Sequence, residues 1–429
     1  MLRSLDRRRD PWGATFLIAV GRRDSRARKG VLTLMAEEGT GRTSGDLTLL
    51  SVTLLLAGIG LVMLYSASSI MAEVRYQDSM YFFKRQVVFT VAGLILLFFV
   101  KNVHYSLYRR LVYVILGLSV LSLCLVLVPQ LGHKAGGARR WLHLGGFSVQ
   151  PAEFAKLALI MFIAYSLAKK HERLHEFGVG FLPHAIVCGV FVLLIYKQPD
   201  LGTAVYFALL TFTLLFVAGV RLRHLVGSAL ALAPLLVLAV TRKDYRWGRV
   251  LAFLDPWRDP TSSSFQLLHS LLAFGSGGLI GAGLGSGKQK LFYLPEPHTD
   301  FLLAVIGEET GLLGICGVLF LYGILIWRGV HIALWAPDRH GTYLAFGLTL
   351  VIGLQALING AVVMGLVPTK GLPLPFMSYG GSSLCTNFLA VGILLNISSH
   401  RRAAAAGTWL RPSAEERAPQ GVKAKKMTS

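Results

Sequence analysis

Apolar residues in this chain fall in blocks of about 20, the length of helix that crosses hydrocarbon, and polar residues gather in the short stretches between them. Ten blocks stand out, at roughly 47–69, 84–100, 110–130, 152–168, 180–197, 201–220, 224–241, 301–327, 342–364 and 383–398. The apolar–polar alternation over about 10-residue segments that marks a membrane barrel is missing. The pattern predicts an all-α polytopic membrane protein of about ten transmembrane helices, with a large external loop between helices 7 and 8 at about 242–300. That loop is too long to be a simple connection, and its apolar stretch from Ser262 to Phe274 is expected to fold back as a short interfacial or re-entrant helix.

Composition agrees with a membrane protein: 429 residues, 54% hydrophobic, mean hydropathy +0.57. The net charge of +21 raises nucleic acid as a partner. The basic residues, however, sit in the tails and short loops, which is the pattern of membrane orientation and not of a DNA-reading face, so no nucleic-acid partner is expected. Cys124, Cys188, Cys316 and Cys385 all lie inside apolar blocks and suggest neither a disulfide framework nor a zinc knuckle.

Three segments are expected: a basic disordered tail over 1–46, a membrane domain over 47–398 and a second basic disordered tail over 399–429. Met35 offers an alternative start. An even number of spans puts both tails on one side, and their charge makes that side cytoplasmic. Lys101, Arg109, Arg110, Lys169, Lys170, Arg173, Arg221, Arg223, Arg328 and Arg339 fall on the same side. The other side is also basic, through Arg75, Lys84, Arg85, Lys134, Arg139, Arg140, Lys288, Lys290 and Lys370 among others. That surplus breaks the orientation rule. It points to an anionic ligand such as a phosphate or pyrophosphate headgroup, the alternative being general attraction to anionic lipid.

Pro295-Glu296-Pro297-His298-Thr299-Asp300 stands directly before the apolar block that begins at Phe301. It fixes a carboxylate at the mouth of a span, a costly placement unless the acid has a task. The helix dipole favours the ionised form of Asp300 and partial burial opposes it, which keeps a base available. A cap with no chemistry is the alternative. At about 100° per residue, Glu308 lies roughly 80° from Asp300 around the helix and Glu309 opposite it, so Glu308 is the supporting candidate.

Gln150-Pro151-Ala152-Glu153 and Gln198-Pro199-Asp200 each open a block with a proline and an acid, which is helix N-terminal chemistry. Lys156, three residues after Glu153, is placed for an ion pair or a phosphate contact. Pro373 to Ser383 is irregular backbone at membrane depth, with Ser378 and Tyr379 offering hydroxyls to a polar ligand or forming a turn with none. Two further motifs carry little weight. His171-Glu172-Arg173-Leu174-His175 matches the zinc-protease pattern but sits in a short loop beside Lys169 and Lys170. Gly281 to Gln289 resembles a P-loop, but Ala282 and Gln289 occupy required positions, and it reads better as flexible backbone with Lys288 and Lys290 near phosphate.

Together these segments resemble the SEDS family (shape, elongation, division and sporulation), which includes FtsW, RodA and SpoVE. The resemblance rests on Gly137-Ala138-Arg139-Arg140-Trp141, on Gln150 to Glu153, on Gln198 to Ala204, on Pro295 to Asp300 with Gly307-Glu308-Glu309, and on Gly371 to Ser383. Val62 to Ser69 and Pro368 to Gly371 are more like FtsW than RodA. Many members carry a basic residue just before Gln-Pro-x-Glu, where this chain has Ser148 and Val149.

The resemblance implies a peptidoglycan glycosyltransferase that polymerises lipid II at the outer face of the cytoplasmic membrane, for septal synthesis in cell division. It places the essential carboxylate at Asp300 and an important arginine at Arg140, beside Trp141. Lys156, Arg85, Lys370, Glu153, His298 and Ser378 are the further substrate-binding candidates, with Glu308, Trp141 and Asp200 in support. The leaving group carries the activation energy, so no nucleotide is needed. No cofactor is certain, and a divalent cation at the pyrophosphate is an option that no ligand cluster demands. The implied partners are lipid II, a class B penicillin-binding protein and the division machinery. A lipid II flippase is the rival reading, followed by a zinc protease and a non-catalytic scaffold.

Overall fold

The computed structural model describes residues 46–135, 138–144, 147–257, 264–288 and 297–405. The two expected tails lie almost wholly outside the described residues, as do Pro295, Glu296 and Lys290.

The chain begins as a three-helix run: α1 (Leu47–Tyr76), α2 (Tyr81–Asn102) and α3 (Ser106–Leu127). Asp46 starts α1 by accepting a hydrogen bond from the Leu49 N–H at 3.1 Å, and its carboxylate also accepts from Arg328 Nε at 2.9 Å. A three-stranded antiparallel sheet follows, ordered β1 (Gly132–Ala135), β2 (Ala138–Leu144) and β3 (Phe147–Val149). Its register pairs Gly132 with Leu142 and Leu142 with Val149. This small sheet is an addition to an otherwise helical membrane fold.

The chain then runs through α4 (Pro151–Lys169), a π-helical turn over Phe177–Phe181 that leads into α5 (Leu182–Lys197), α6 (Leu201–Val217) and α7 (Leu222–Thr241). The long connection holds α8 (Asp244–Leu254) and α9 (Phe265–Gly277). The second overlaps the predicted short helix, and the first is additional. The bundle closes with α10 (Leu302–Leu334), α11 (Arg339–Val363) and α12 (Gly381–Ala405).

Among the described residues nine helices are long and apolar enough to cross a membrane, and the 17-residue α6 is a shorter apolar helix. Each predicted apolar block falls on one of these ten. α4 and α12 are buried on most sides and α7 on almost none. Lipid solvates an apolar face as well as another helix does, so hydrophobicity alone does not separate a central helix from a peripheral one.

The predicted continuous helix from Phe301 is broken at Gly311, whose φ of +67° and ψ of −164° no helix contains. The glycine-rich segment repairs the break. Ala282 and Gly283 N–H donate to the carbonyls of Glu308 and Glu309 at 2.9 and 3.0 Å, and Leu312 N–H donates to Gly278 O at 2.9 Å. That segment, expected to be flexible backbone near the mouth, is therefore tied into the bundle, because unpaired backbone at membrane depth costs several kcal/mol per group. A Cβ on Gly311 would lie 2.5 Å from Gly281 N. Gly311→Ala is expected to cost about 1–3 kcal/mol from backbone conformation alone and to lower the thermal midpoint in detergent. Gly323→Ala, where a Cβ meets nothing within 4 Å, should leave the midpoint unchanged. Equal midpoints for the two variants would contradict this account of the break.

Candidate active site

The β-hairpin and the start of α6 meet at one end of the bundle. His133 pairs with Trp141 and Lys134 with Arg139, so Arg140 is the extra residue of a bulge in β2, and its side chain reaches the start of α6. Its Nη2 donates to Pro199 O at 3.2 Å, and its Nε lies 3.4 Å from Asp200 Oδ2. Asp200 also caps α6, accepting from the Thr203 N–H at 3.0 Å. Trp141 pairs with His133 on β1. The hairpin thus supplies one cation to the site.

Lys370 reaches the same place from the segment between α11 and α12. Its Nζ donates to Gly202 O and lies 5.5 Å from the Tyr206 ring centroid. Gly202 is bare for a reason: a Cβ there would sit 2.3 Å from Lys370 Cε. Burial pushes the Lys370 ammonium down to about 7, with Lys156 and Arg140 adding to the shift and Asp200 and Glu153 opposing it. Lys156 Nζ lies 5.4 Å from the same centroid. Lys156 is fully buried, paired with Glu153 Oε2 at 2.7 Å and donating to Gln355 Oε1 at 2.7 Å. Gln355 in turn donates to Pro373 O at 2.8 Å. Arg140, Lys370 and Lys156 therefore gather near the start of α6, with Asp200 paired to Arg140, Glu153 paired to Lys156 and the Tyr206 ring beside both lysines.

Asp300 stands at the mouth of α10, half-buried, over the segment that carries Lys370. Its Oδ2 lies 2.6 Å from where a Cβ on Gly371 would be, so the carboxylate rests on backbone that only glycine leaves open. Asn359 Nδ2 donates to Asp300 O at 2.8 Å and to Leu372 O at 2.7 Å. A carboxylate held on the segment that carries Lys370 can accept a proton from a bound hydroxyl while cations on that side neutralise a departing anion.

The remaining candidates gather elsewhere or act structurally. His298 is buried, 4.3 Å from the Phe82 ring and 5.6 Å from Tyr379, and its carbonyl accepts from the Tyr379 N–H at 2.9 Å. Burial and then the charge of Arg75 push His298 down to about 4. Arg85 lies over the Tyr81 ring at 4.5 Å, near Tyr379. Ser378 is buried, its Oγ accepting from the Leu374 N–H at 2.9 Å, while Gln86 Nε2 donates to its carbonyl at 3.1 Å. It closes the turn in which Phe376 takes a left-handed φ of +65°. Glu308 sits at the helix break, accepting from the Lys288 N–H at 2.6 Å, and Glu309 accepts from Ser66 Oγ at 2.7 Å. His171 to Arg173 forms a 3₁₀ turn in which His171 Nδ1 lies 3.0 Å from Tyr343 OH, so the helix that would align two zinc-binding imidazoles is missing there.

The family model for the cell cycle proteins FtsW, RodA and SpoVE matches residues 47–403. This chain belongs to that family. A probable peptidoglycan glycosyltransferase FtsW of Trichlorobacter lovleyi is 48% identical over 82% of this chain and 93% of its own. Stage V sporulation protein E of Bacillus subtilis is 44% identical, covering 85% and 99%. A chain of a peptidoglycan synthase complex, described as coordinating polymerization and crosslinking, superposes with a TM-score of 0.68 at 32% identity, covering 83% and 98%. The rod shape determining protein RodA of Thermus thermophilus does so at 0.61 and 30% identity, covering 85% and 98%.

In this FtsW/RodA/SpoVE member the side chains that the motifs did not flag are Tyr206, Gln355, Asn359 and Gln86. Each is a polar residue in a largely apolar helix, and each hydrogen-bonds to the backbone of another segment. A lone amide at the core of a span is itself a signal, because it must find a buried partner.

Proposed function

We propose that the protein is a peptidoglycan glycosyltransferase that polymerises lipid II, with its site at the outer face of the cytoplasmic membrane and both termini inside. The observation that carries this reading is Asp300 lying on Gly371, the residue that follows Lys370, whose ammonium stands with Lys156 near the Tyr206 ring. The donor is the growing glycan on its lipid pyrophosphate, and the acceptor is the 4-hydroxyl of the GlcNAc of an incoming lipid II. The acceptor oxygen bonds to the anomeric carbon as the bond from that carbon to the pyrophosphate breaks. Asp300 takes the hydroxyl proton, and Arg140 and Lys370 meet the departing diphosphate. The transition state carries oxocarbenium character. No step is routed through a divalent cation: Asp200 is held by Arg140 and Glu153 by Lys156, so the carboxylates beside the cations are committed.

A transpeptidase of the penicillin-binding class is the proposed partner, supported by the likeness to the synthase complex. Septal synthesis is favoured by the FtsW relatives. Purified protein given lipid II in detergent micelles should form glycan chains, since polymerisation needs no sidedness. A flippase would leave the lipid II unpolymerised.

The lowered Lys370 pKa gives this reading a pH signature. The free site gains its Lys370 charge only below about pH 7, whereas the unfolded side chain carries it up to about 10.5. The unfolded chain therefore binds more protons between those values, and stability rises with pH across that window. Lipid pyrophosphate affinity runs the other way, weakening as pH rises through about 7. Lys370→Arg, always charged, should flatten that dependence in a binding titration, and an unchanged slope would remove Lys370 from the diphosphate contact.

A further inference from the structure

We propose that Asn359 is a positioning residue that sets the spacing between the Asp300 carboxylate and the Lys370 ammonium; the inference rests on the reading above. Asn359 lies on α11, one helical turn beyond Gln355, and is buried. Its Nδ2 spends both hydrogens on backbone carbonyls of two different segments, Asp300 O at 2.8 Å and Leu372 O at 2.7 Å. The amide cannot be turned the other way, because two carbonyls require the NH₂ group. The first bond fixes the mouth of α10, where the base stands. The second fixes the strand that runs from Lys370 through Gly371 to Leu372, which is further tightened by Leu372 N–H donating to Lys370 O at 3.1 Å.

These two segments touch at the site itself, through Asp300 Oδ2 over Gly371. One rigid side chain on a packed helix therefore registers the base against the cation. Gln355 repeats the device a turn earlier, joining Lys156 to Pro373 O. The nearest substitutes for Asn359 each lose part of this geometry. Asp offers no donor, Ser offers one hydrogen, and Gln places its amide one methylene further out.

The test uses the full-length protein and lipid II in detergent, with rates normalised to folded, lipid II-binding molecules. Asn359→Leu is expected to lower kcat about 10–100-fold, the scale of a misplacement near 1 Å, with KM within about two-fold of the parent. Gly371→Ala keeps both hydrogen bonds but pushes a methyl against Asp300, and should give the same split. Asn359→Asp should resemble Asn359→Leu, because the lost function is donation and not shape. A normal kcat per folded molecule in Asn359→Leu overturns the proposal, as does a KM that rises in step with the loss. If the parent protein polymerises lipid II and Asp300→Asn does not, either result counts against the positioning role alone. If Asp300→Asn polymerises normally, the base assignment fails and the positioning role falls with it.

Discussion

Asp300→Asn is expected to fold, bind lipid II and form glycan about 10²–10⁴-fold more slowly, the usual worth of a positioned general base. The substitution is nearly isosteric and keeps the contact over Gly371. The backbone bond from Asn359 to Asp300 O does not involve the side chain, so the segment should hold its place. What changes is proton affinity, because an amide oxygen cannot take the acceptor's hydroxyl proton. The loss should therefore appear in kcat, with KM little altered. Size-exclusion behaviour and thermal midpoint should match the parent. A variant that loses its fold along with its activity would show that the acid is chiefly a structural cap.

The second large effect concerns the buried pair of Glu153 and Lys156. Their side chains are 4% and 1% exposed and lie 2.7 Å apart, so neither charge can turn to water. Lys156→Met leaves the Glu153 carboxylate alone in the bundle and strands Gln355 Oε1, which had accepted from the ammonium. Breaking such a pair by removing one partner typically costs about 3–5 kcal/mol, enough to lower the thermal midpoint in detergent sharply. Combining Lys156→Met with Glu153→Gln removes both charges and should recover most of that loss. The same double variant separates fold from function. If Lys156 serves the diphosphate, stability returns and polymerisation stays low. Additive destabilisation in the double variant would mean that the two groups do not act as a pair.

The helices were legible because each apolar block must satisfy its own backbone in lipid, which leaves few alternatives. Asp300, Asp200, Glu153 and Arg140 were legible as well, since acids and arginines at the mouths of spans are expensive and stand out. The hairpin was missed, although Gly136-Gly137 and Gly145-Gly146 bracket β2 and are strong turn signals. The stretch between the blocks at 110–130 and 152–168 was read only as a connection. The break at Gly311 was missed for a different reason. A glycine inside an apolar run is common, and what makes this one a break is the loop from Gly278 to Gly283, brought in from outside the block. Tyr206, Gln355 and Asn359 depend on partners 13 to 199 residues away in sequence, which no local pattern encodes. His298, a substrate-binding candidate from its place in the motif, lies buried against Phe82.

The most direct measurement counts released lipid pyrophosphate against glycosidic bonds formed when purified protein meets lipid II in detergent. The parent protein should release one pyrophosphate lipid for each bond, and Asp300→Asn should produce neither above background. Equal polymer from both proteins, or none from the parent, would contradict an acid-assisted transfer onto a sugar hydroxyl at this site.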